Sequence, residues 1–517
     1  MKCYDIFSNF YDNYLQKLYF SSRTIFKQKN RMRLIPLFII IFCSLNTTGK
    51  PIDYLFNCWT KQIKPLQKQH LSFTYQEKKN DFDHGYEAFQ LKSSAVKGIV
   101  WVNTNNFIKR DTLSVGSNTF FSSTQWSKAT LLYQDYGDKD LYKSTIDMHQ
   151  DLLFQQARYS PTSLINYFVA QKVTPSSEFN TDAAVYTTTI NGSVIKLYIR
   201  KSNYLLDKVT MLCKTDYIND ELFGDVLTSI FYKNYEVKKK LSYPLLVRIE
   251  KINGKIEDEV ANGNVKLEQG PQLLTIPAEY ALAAQITSTP EVLVEKYSDR
   301  IHFIQLKHTN DKVMIVEFKD FLFVAEAPLN SKNGELIIKE AKKIAPNKPI
   351  RYFAFGHFHT HYIGGVRAFV HKGTTVLSTK ANIPYVQFII NAAHTLSPDS
   401  LQLEPKPMQI EEVGESKTIT DGEFEMKIYF IGMKSQHTKD YLIYYFPSEQ
   451  LLFEDDLVWI ALEGKIKKAS ARQAGLHSAI KELNLNVKTI VQSWPVEGYG
   501  VKTIIPYRDL EESVKLK

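Results

Sequence analysis

At 517 residues the chain is too long for one ordinary domain of about 150 residues, so two or three domains are expected. Its apolar fraction of 44% is that of a globular protein, and nothing in it reads as low-complexity or collagen-like. Residues 1–50 hold eight Lys/Arg against Asp5 and Asp12, so six of the nine formal positive charges lie there; a remainder so near neutrality gives no argument for a nucleic-acid partner.

That basic excess surrounds "KQKNRMRLIPLFIIIFCSLNTTG", residues 27–49. Its apolar run, Leu34 to Leu45, is too short for a spanning helix, which needs about 20 residues. A basic stretch followed by a short apolar one reads as a secretory signal, with Met32 as its natural start. The expected division is an N-terminal extension over 1–31 and a signal peptide over 32–50, with export to the periplasm or cell envelope. Membrane contact would come only through this segment if it stays uncleaved. Beyond it the cysteines are Cys58 and Cys213. An exported protein can join such a pair, and two separate thiols are an equal reading. No Cys pair has metal-binding spacing.

Residues 51–150 are polar and aromatic with weak periodicity. "DMHQDLLFQQARYSPTSLINYFV" (147–169) reads as short helices broken at Pro161. From about 183 the pattern is β. Asn191-Gly192 and Asn253-Gly254 sit between β-branched runs and signal two-residue hairpins. "LTSIFYKNYEV" is a further strand between them. Val194, Lys196 and Tyr198 alternate with Ile195, Leu197 and Ile199, giving one packed and one wetter face. In rhythm, from "YKNYEV" to "YPLLVRIE" and a turn, this region resembles the curved antiparallel sheets of the outer-membrane lipoprotein carrier family. No catalytic motif accompanies it, so residues 51–285 are expected to form a β-rich accessory domain.

Past a boundary near 275–305 the rhythm becomes α/β. A strand pair is expected over 312–327, a helix over 333–346, a strand over 350–356, a helix over 366–373 and a strand over 374–379. The 350–356 strand runs into "GHFHTHYIGG", residues 356–365. Alternate side chains of an extended segment point the same way, so His357 and His359 can meet one ion, and imidazole suits zinc. Gly364-Gly365 is read as a tight turn into the next helix.

"PNKPIRYFAFGHFHTHYIGGVRAF" resembles the metallo-β-lactamase superfamily, whose signature H-x-H-x-D-H-x-G-G follows a strand. "FLFVAEAPLN" (321–330), "QHTKDYLIYYFPSEQLLFEDDLV" (436–458) and "LHSAIKELNLNVKTIVQSWP" (476–495) fall in the family's order. The resemblance covers roughly 290–517 and implies an αββα sandwich with a metal site along one edge of its sheets. It implies His357, His359 and His437 as metal ligands and Asp456 as the bridging acid. Asp455 departs from the usual Gly-Asp. His361 replaces the signature aspartate, Tyr362 the next histidine and Trp494 the last one.

Half of a two-metal site is therefore retained. The resemblance implies zinc, or another divalent ion, at about one per chain, with His361 and Tyr362 in catalytic positions. Glu454-Asp455 is read either as a solvated turn or as replacement charge. His394 matches no ligand, His371 and His477 fall in expected helices, and His84 and His149 form no pair. The expected protein is an exported α+β, α/β metallo-hydrolase acting on an unnamed small molecule through metal-activated water. The alternative is a non-catalytic pseudoenzyme of the same fold, a binding protein of the cell envelope.

Overall fold

The computed structural model describes residues 52–82, 85–115, 118–127, 131–134, 146–214, 222–271, 291–496 and 498–516. The expected extension and signal segment, and His84, lie outside the described residues. Among the described residues no helix is long and apolar enough to cross a membrane.

The first half is an eleven-stranded antiparallel sheet in which His70–Asp81 pairs with both Lys92–Val102 and Ile256–Glu268. Helices Tyr54–Gln62, Ile146–Ala157 and Thr162–Ala170 accompany it. Leu55, Leu164 and Phe168 share a buried cluster with sheet residues Tyr75, Leu197, Ile230 and Val247. Five strands lie between 70 and 134, where the sequence shows only weak periodicity. Lys92–Val102 explains why: its first half is largely exposed, and only Val96, Val100 and Val102 are buried. By contrast Ile195, Leu197 and Ile199 are buried and their alternates half-exposed, as the pattern implied.

Asn191 and Gly192 take φ of 49° and 79° between strands Ala183–Ile190 and Ser193–Arg200, a two-residue turn. The second hairpin differs. Lys251 pairs with Ile256, so its loop has four residues, with Ile252, Asn253 and Gly254 all at positive φ. Cys58 and Cys213 are both buried and not joined to each other. Burial pushes the Cys58 thiol up to about 12, so it is inert as a nucleophile.

The second half contains a seven-stranded sheet, from Val292–Lys296 to Gln409–Glu412, and a six-stranded sheet, from Ser416–Thr420 to Ile504–Pro506. Strands such as Leu322–Ala325 and Leu442–Phe446 are buried throughout, as strands covered on both faces must be. Phe303, Met314 and Phe323 of one sheet and Ile428, Tyr444 and Phe453 of the other belong to one core. Ile337, Phe369 and Ile389, from helices Ser331–Ile344, Val366–His371 and Ile383–Asn391, belong to the cluster shared with the first half. Leu476 and Leu510, from Ala471–Glu482 and Tyr507–Lys515, belong to another. Mixed sheets with helices make the chain α+β.

The halves touch directly. Phe89 lies 5.0 Å from the Tyr385 ring and 5.4 Å from Phe388. The Asp225 carboxylate accepts from the Thr395 amide at 2.7 Å and the Leu396 amide at 3.1 Å.

Candidate metal centre

The strand Ile350–Ala354 ends just before Phe355, and the chain bends through Gly356 into the histidines before the short helix Thr360–Ile363. His437 follows the turn Gly432–Ser435, and Asp456 follows the strand Leu451–Glu454. These ends meet. His357, His359 and His437 each place one ring nitrogen within 4.8 Å of the others'. His357 Nε2 and His359 Nδ1 are 2.9 Å apart. His437 Nε2 is buried with no hydrogen bond. It lies 3.2 Å from the Asp456 carboxylate.

The donor set fits a divalent transition ion. Three imidazoles are neutral nitrogen ligands, and a buried nitrogen without a hydrogen bond is costly unless something fills its lone pair. Burial opposes the charge on Asp456, but His437, His357 and Arg472 together hold it well below the usual carboxylate range. Arg472 sits 3.1 Å from the same oxygen that faces His437. Asp456 thus meets the triad through His437 but is shared with a guanidinium, which the sequence did not indicate.

Beneath the triad lies a layer of buried acids. Asp455 Oδ2 accepts from His357 Nδ1 at 2.6 Å, which turns Nε2 toward the other histidines. Glu326 accepts from the Gly356 amide at 3.1 Å. Burial, then the neighbouring Glu326 charge, pushes Asp455 well above the usual range, and burial does the same to Glu326. Burial also raises Glu454 to about 8. Glu454 and Asp455 are fully buried, so the solvated-turn reading is wrong. The Tyr441 hydroxyl ties this turn down, accepting from the amides of Asp455 at 3.1 Å and Asp456 at 3.2 Å.

The glycines act by absence of a side chain. A Cβ on Gly356 would stand 2.3 Å from Asp455 Oδ2. Gly356→Ala is therefore expected to push Asp455 off His357 and to destabilise the protein by about 1–3 kcal/mol, read by urea unfolding. An unchanged midpoint would show that this contact is not tight. Gly364 and Gly365 correct the turn expectation. Gly364 has φ −54° and Gly365 φ −88°, which any residue adopts. Their role is close approach: a Cβ on Gly364 would meet the Leu329 backbone at 2.3 Å.

The other expected positions are not in the cluster. His361 Nδ1 is 2.8 Å from the buried Asp311 carboxylate, and its ring lies 5.5 Å from Trp494. Trp494 is 8% exposed and packs 5.5 Å from Trp459 and 5.2 Å from Tyr499. Tyr362 is buried 4.4 Å from the His357 ring, and burial first, then Asp456, lifts its hydroxyl well above the usual range. It stays a neutral phenol at physiological pH. His371 contacts Glu404 at 3.2 Å, His477 stacks on Tyr507, and His394 lies against Gly224 at the contact between the halves.

No family model matches the chain, and no curated protein matches it. Solved structures do. A metallo-beta-lactamase from Pontibacter korlensis is similar at 16% identity and a TM-score of 0.32, over 43% of this chain and 97% of that one. The metallo-beta-lactamase FIM-1 from Pseudomonas aeruginosa, in its mono-zinc form, is similar at 16% identity and a TM-score of 0.32, over 45% of this chain and 96% of that one. DIM-1 metallo-beta-lactamase is similar at 14% identity and a TM-score of 0.31, over 44% of this chain and 97% of that one.

Proposed function

We propose that this chain is a metal-dependent hydrolase with a single-ion site, built on a metallo-β-lactamase sandwich that follows a lipoprotein-carrier-like sheet. The observation that carries the reading is the cluster of three imidazole nitrogens within 4.8 Å, one of them buried without a hydrogen bond. His357, His359 and His437 would hold the ion, with Asp456 supplying charge. When bound, such an ion supplies a Lewis acid that can bring the pKa of a water to about 7.

The chain's own residues do the rest. Asp455 orients His357, Tyr441 holds the turn that carries both aspartates, and Arg472 restrains Asp456. His361 is engaged by Asp311. The signature aspartate is replaced there, so general acid–base help worth about 10²–10⁴-fold is reduced and turnover should be slow. The substrate is a small molecule, and β-lactams are not implied. Export to the cell envelope is part of the proposal and rests on the 32–50 segment.

Elemental analysis after dialysis is expected to give about one equivalent of zinc or less per chain. Two tightly held equivalents would overturn the single-ion site. The second reading, a binding protein without catalysis, is favoured by one observation: Trp494 packs on His361 where the family resemblance expects a second set of ligands. Hydrolysis that depends on His437 separates the two readings.

A further inference from the structure

We infer that the β-rich half supplies part of the metal centre itself: the Gly85 carbonyl fixes the ring of His359. This deepens the proposed function and rests on it. Residues 85–91, just ahead of strand Lys92–Val102, reach the histidines. The Gly85 oxygen lies 3.3 Å from His359 Nε2. A carbonyl can only accept, so His359 carries its proton on Nε2 and offers Nδ1 as a lone pair. Nδ1 is the nitrogen that faces His357. Gly85 thus does for His359 what Asp455 does for His357, and a metal ligand's outer partner sets both ring orientation and basicity.

The carbonyl is held in place by contacts on both sides. The Gln90 side chain accepts from the amides of Tyr86 at 2.5 Å and Glu87 at 3.2 Å, closing a compact turn. The Lys439 amide donates to the Tyr86 carbonyl at 2.8 Å, and its ammonium pairs with Glu87 at 3.1 Å. Lys439 is two residues beyond His437, so the same latch touches the segment carrying the third ligand. Phe89 seats on Tyr385, whose ring lies 5.6 Å from Phe358, the residue between the first two histidines. Gly85 is a positioning residue: it touches a ligand's far nitrogen, not the reacting centre.

The test uses the full chain with Glu87→Ala and Phe89→Ala combined, which unlatches the turn and leaves every ligand intact. Cobalt(II) alone is the probe, with affinity read by chelator competition and ligand geometry by the visible spectrum. The dissociation constant is expected to rise about 10–100-fold, with a changed spectrum. Glu87→Ala alone is the milder variant and should move both readouts in the same direction. Asp225→Ala loosens the contact between the halves elsewhere and should leave both unchanged. Wild-type uptake with an unaltered double variant overturns the inference alone, as does an equal loss in Asp225→Ala. Wild-type protein that takes up no cobalt overturns the metal-centre reading itself, and this inference with it.

Discussion

His437→Ala is expected to lose tight binding of zinc or cobalt(II), with a fall in affinity beyond the about 100-fold that an outer partner carries. The reasoning is one of donor count. His357 and His359 come from one bend and would remain, 2.9 Å apart, held by Asp455 and by the Gly85 carbonyl. Two imidazoles leave a transition ion short of the three protein ligands that sites of this kind use. Asp456 cannot easily make up the loss, because Arg472 already occupies the oxygen that faces His437. Hydrolysis of an activated ester, phosphodiester or lactam panel should fall with the metal. If the wild type binds metal and hydrolyses nothing, the binding-protein reading stands instead. If His437→Ala keeps wild-type metal affinity, the triad is not the site. Installing the signature that the sequence resembles, with His361→Asp, Tyr362→His and Trp494→His, carries a packing risk. Trp494 is nearly buried against Trp459 and Tyr499, and its loss can cost about 3–5 kcal/mol.

What the sequence revealed follows from how local each signal is. That His357, His359 and His437 could meet was legible because two lie in one ten-residue motif and the third follows in the order of the family the sequence resembles. The fully buried strands around them are continuous apolar runs, which need no context to be read. Asp455, Glu326, Tyr441 and Arg472 were not legible as a unit. Asp455 and Glu326 lie 129 positions apart in the numbering and meet only because strand ends from both sheets converge under Gly356. The one available signal was the odd run "FEDDLV", three acids at the end of an apolar strand. Acids there are costly unless buried hydrogen bonds receive them, so burial with partners was the better reading. The strands between 70 and 134 were missed for the opposite reason, clearest in Lys92–Val102: its exposed first half erases the alternation on which strand reading depends. Gly85 was invisible as a contributor, since its carbonyl acts and its residue type carries no chemistry.

Arg367→Ala is expected to destabilise the chain by about 1–3 kcal/mol at pH 7, because it leaves a half-buried carboxylate and three carbonyls without their donor. Arg367 is 2% exposed. It forks onto Asp399, with Nε 2.7 Å from one oxygen and Nη2 3.0 Å from the other. Its remaining arm donates to the carbonyls of Ile389, Ile390 and Ala392, at the end of helix Ile383–Asn391. One side chain therefore ties this helix to the start of Ser400–Leu403, next to the segment that meets Asp225. Acid should shrink the effect. Burial, then the Arg367 charge, lowers His394 to about 4. A histidine depressed in the fold stays neutral there while the unfolded chain takes up a proton, so stability is lost as pH falls from about 6.5 toward 4. The wild type suffers that loss in full. The variant, without the guanidinium, suffers less of it. Burial works to raise Asp399, but hydrogen bonds from Arg367 and Ser331 hold it well below the usual range, so in the wild type it is still ionised at pH 4.5. Urea unfolding at pH 7 and pH 4.5 should therefore show a gap between wild type and variant that narrows on acidification. A gap under about 1 kcal/mol at pH 7 would mean that the fork is worth no more than a surface pair. A gap that widens toward pH 4.5 would mean that His394 is not the group titrating.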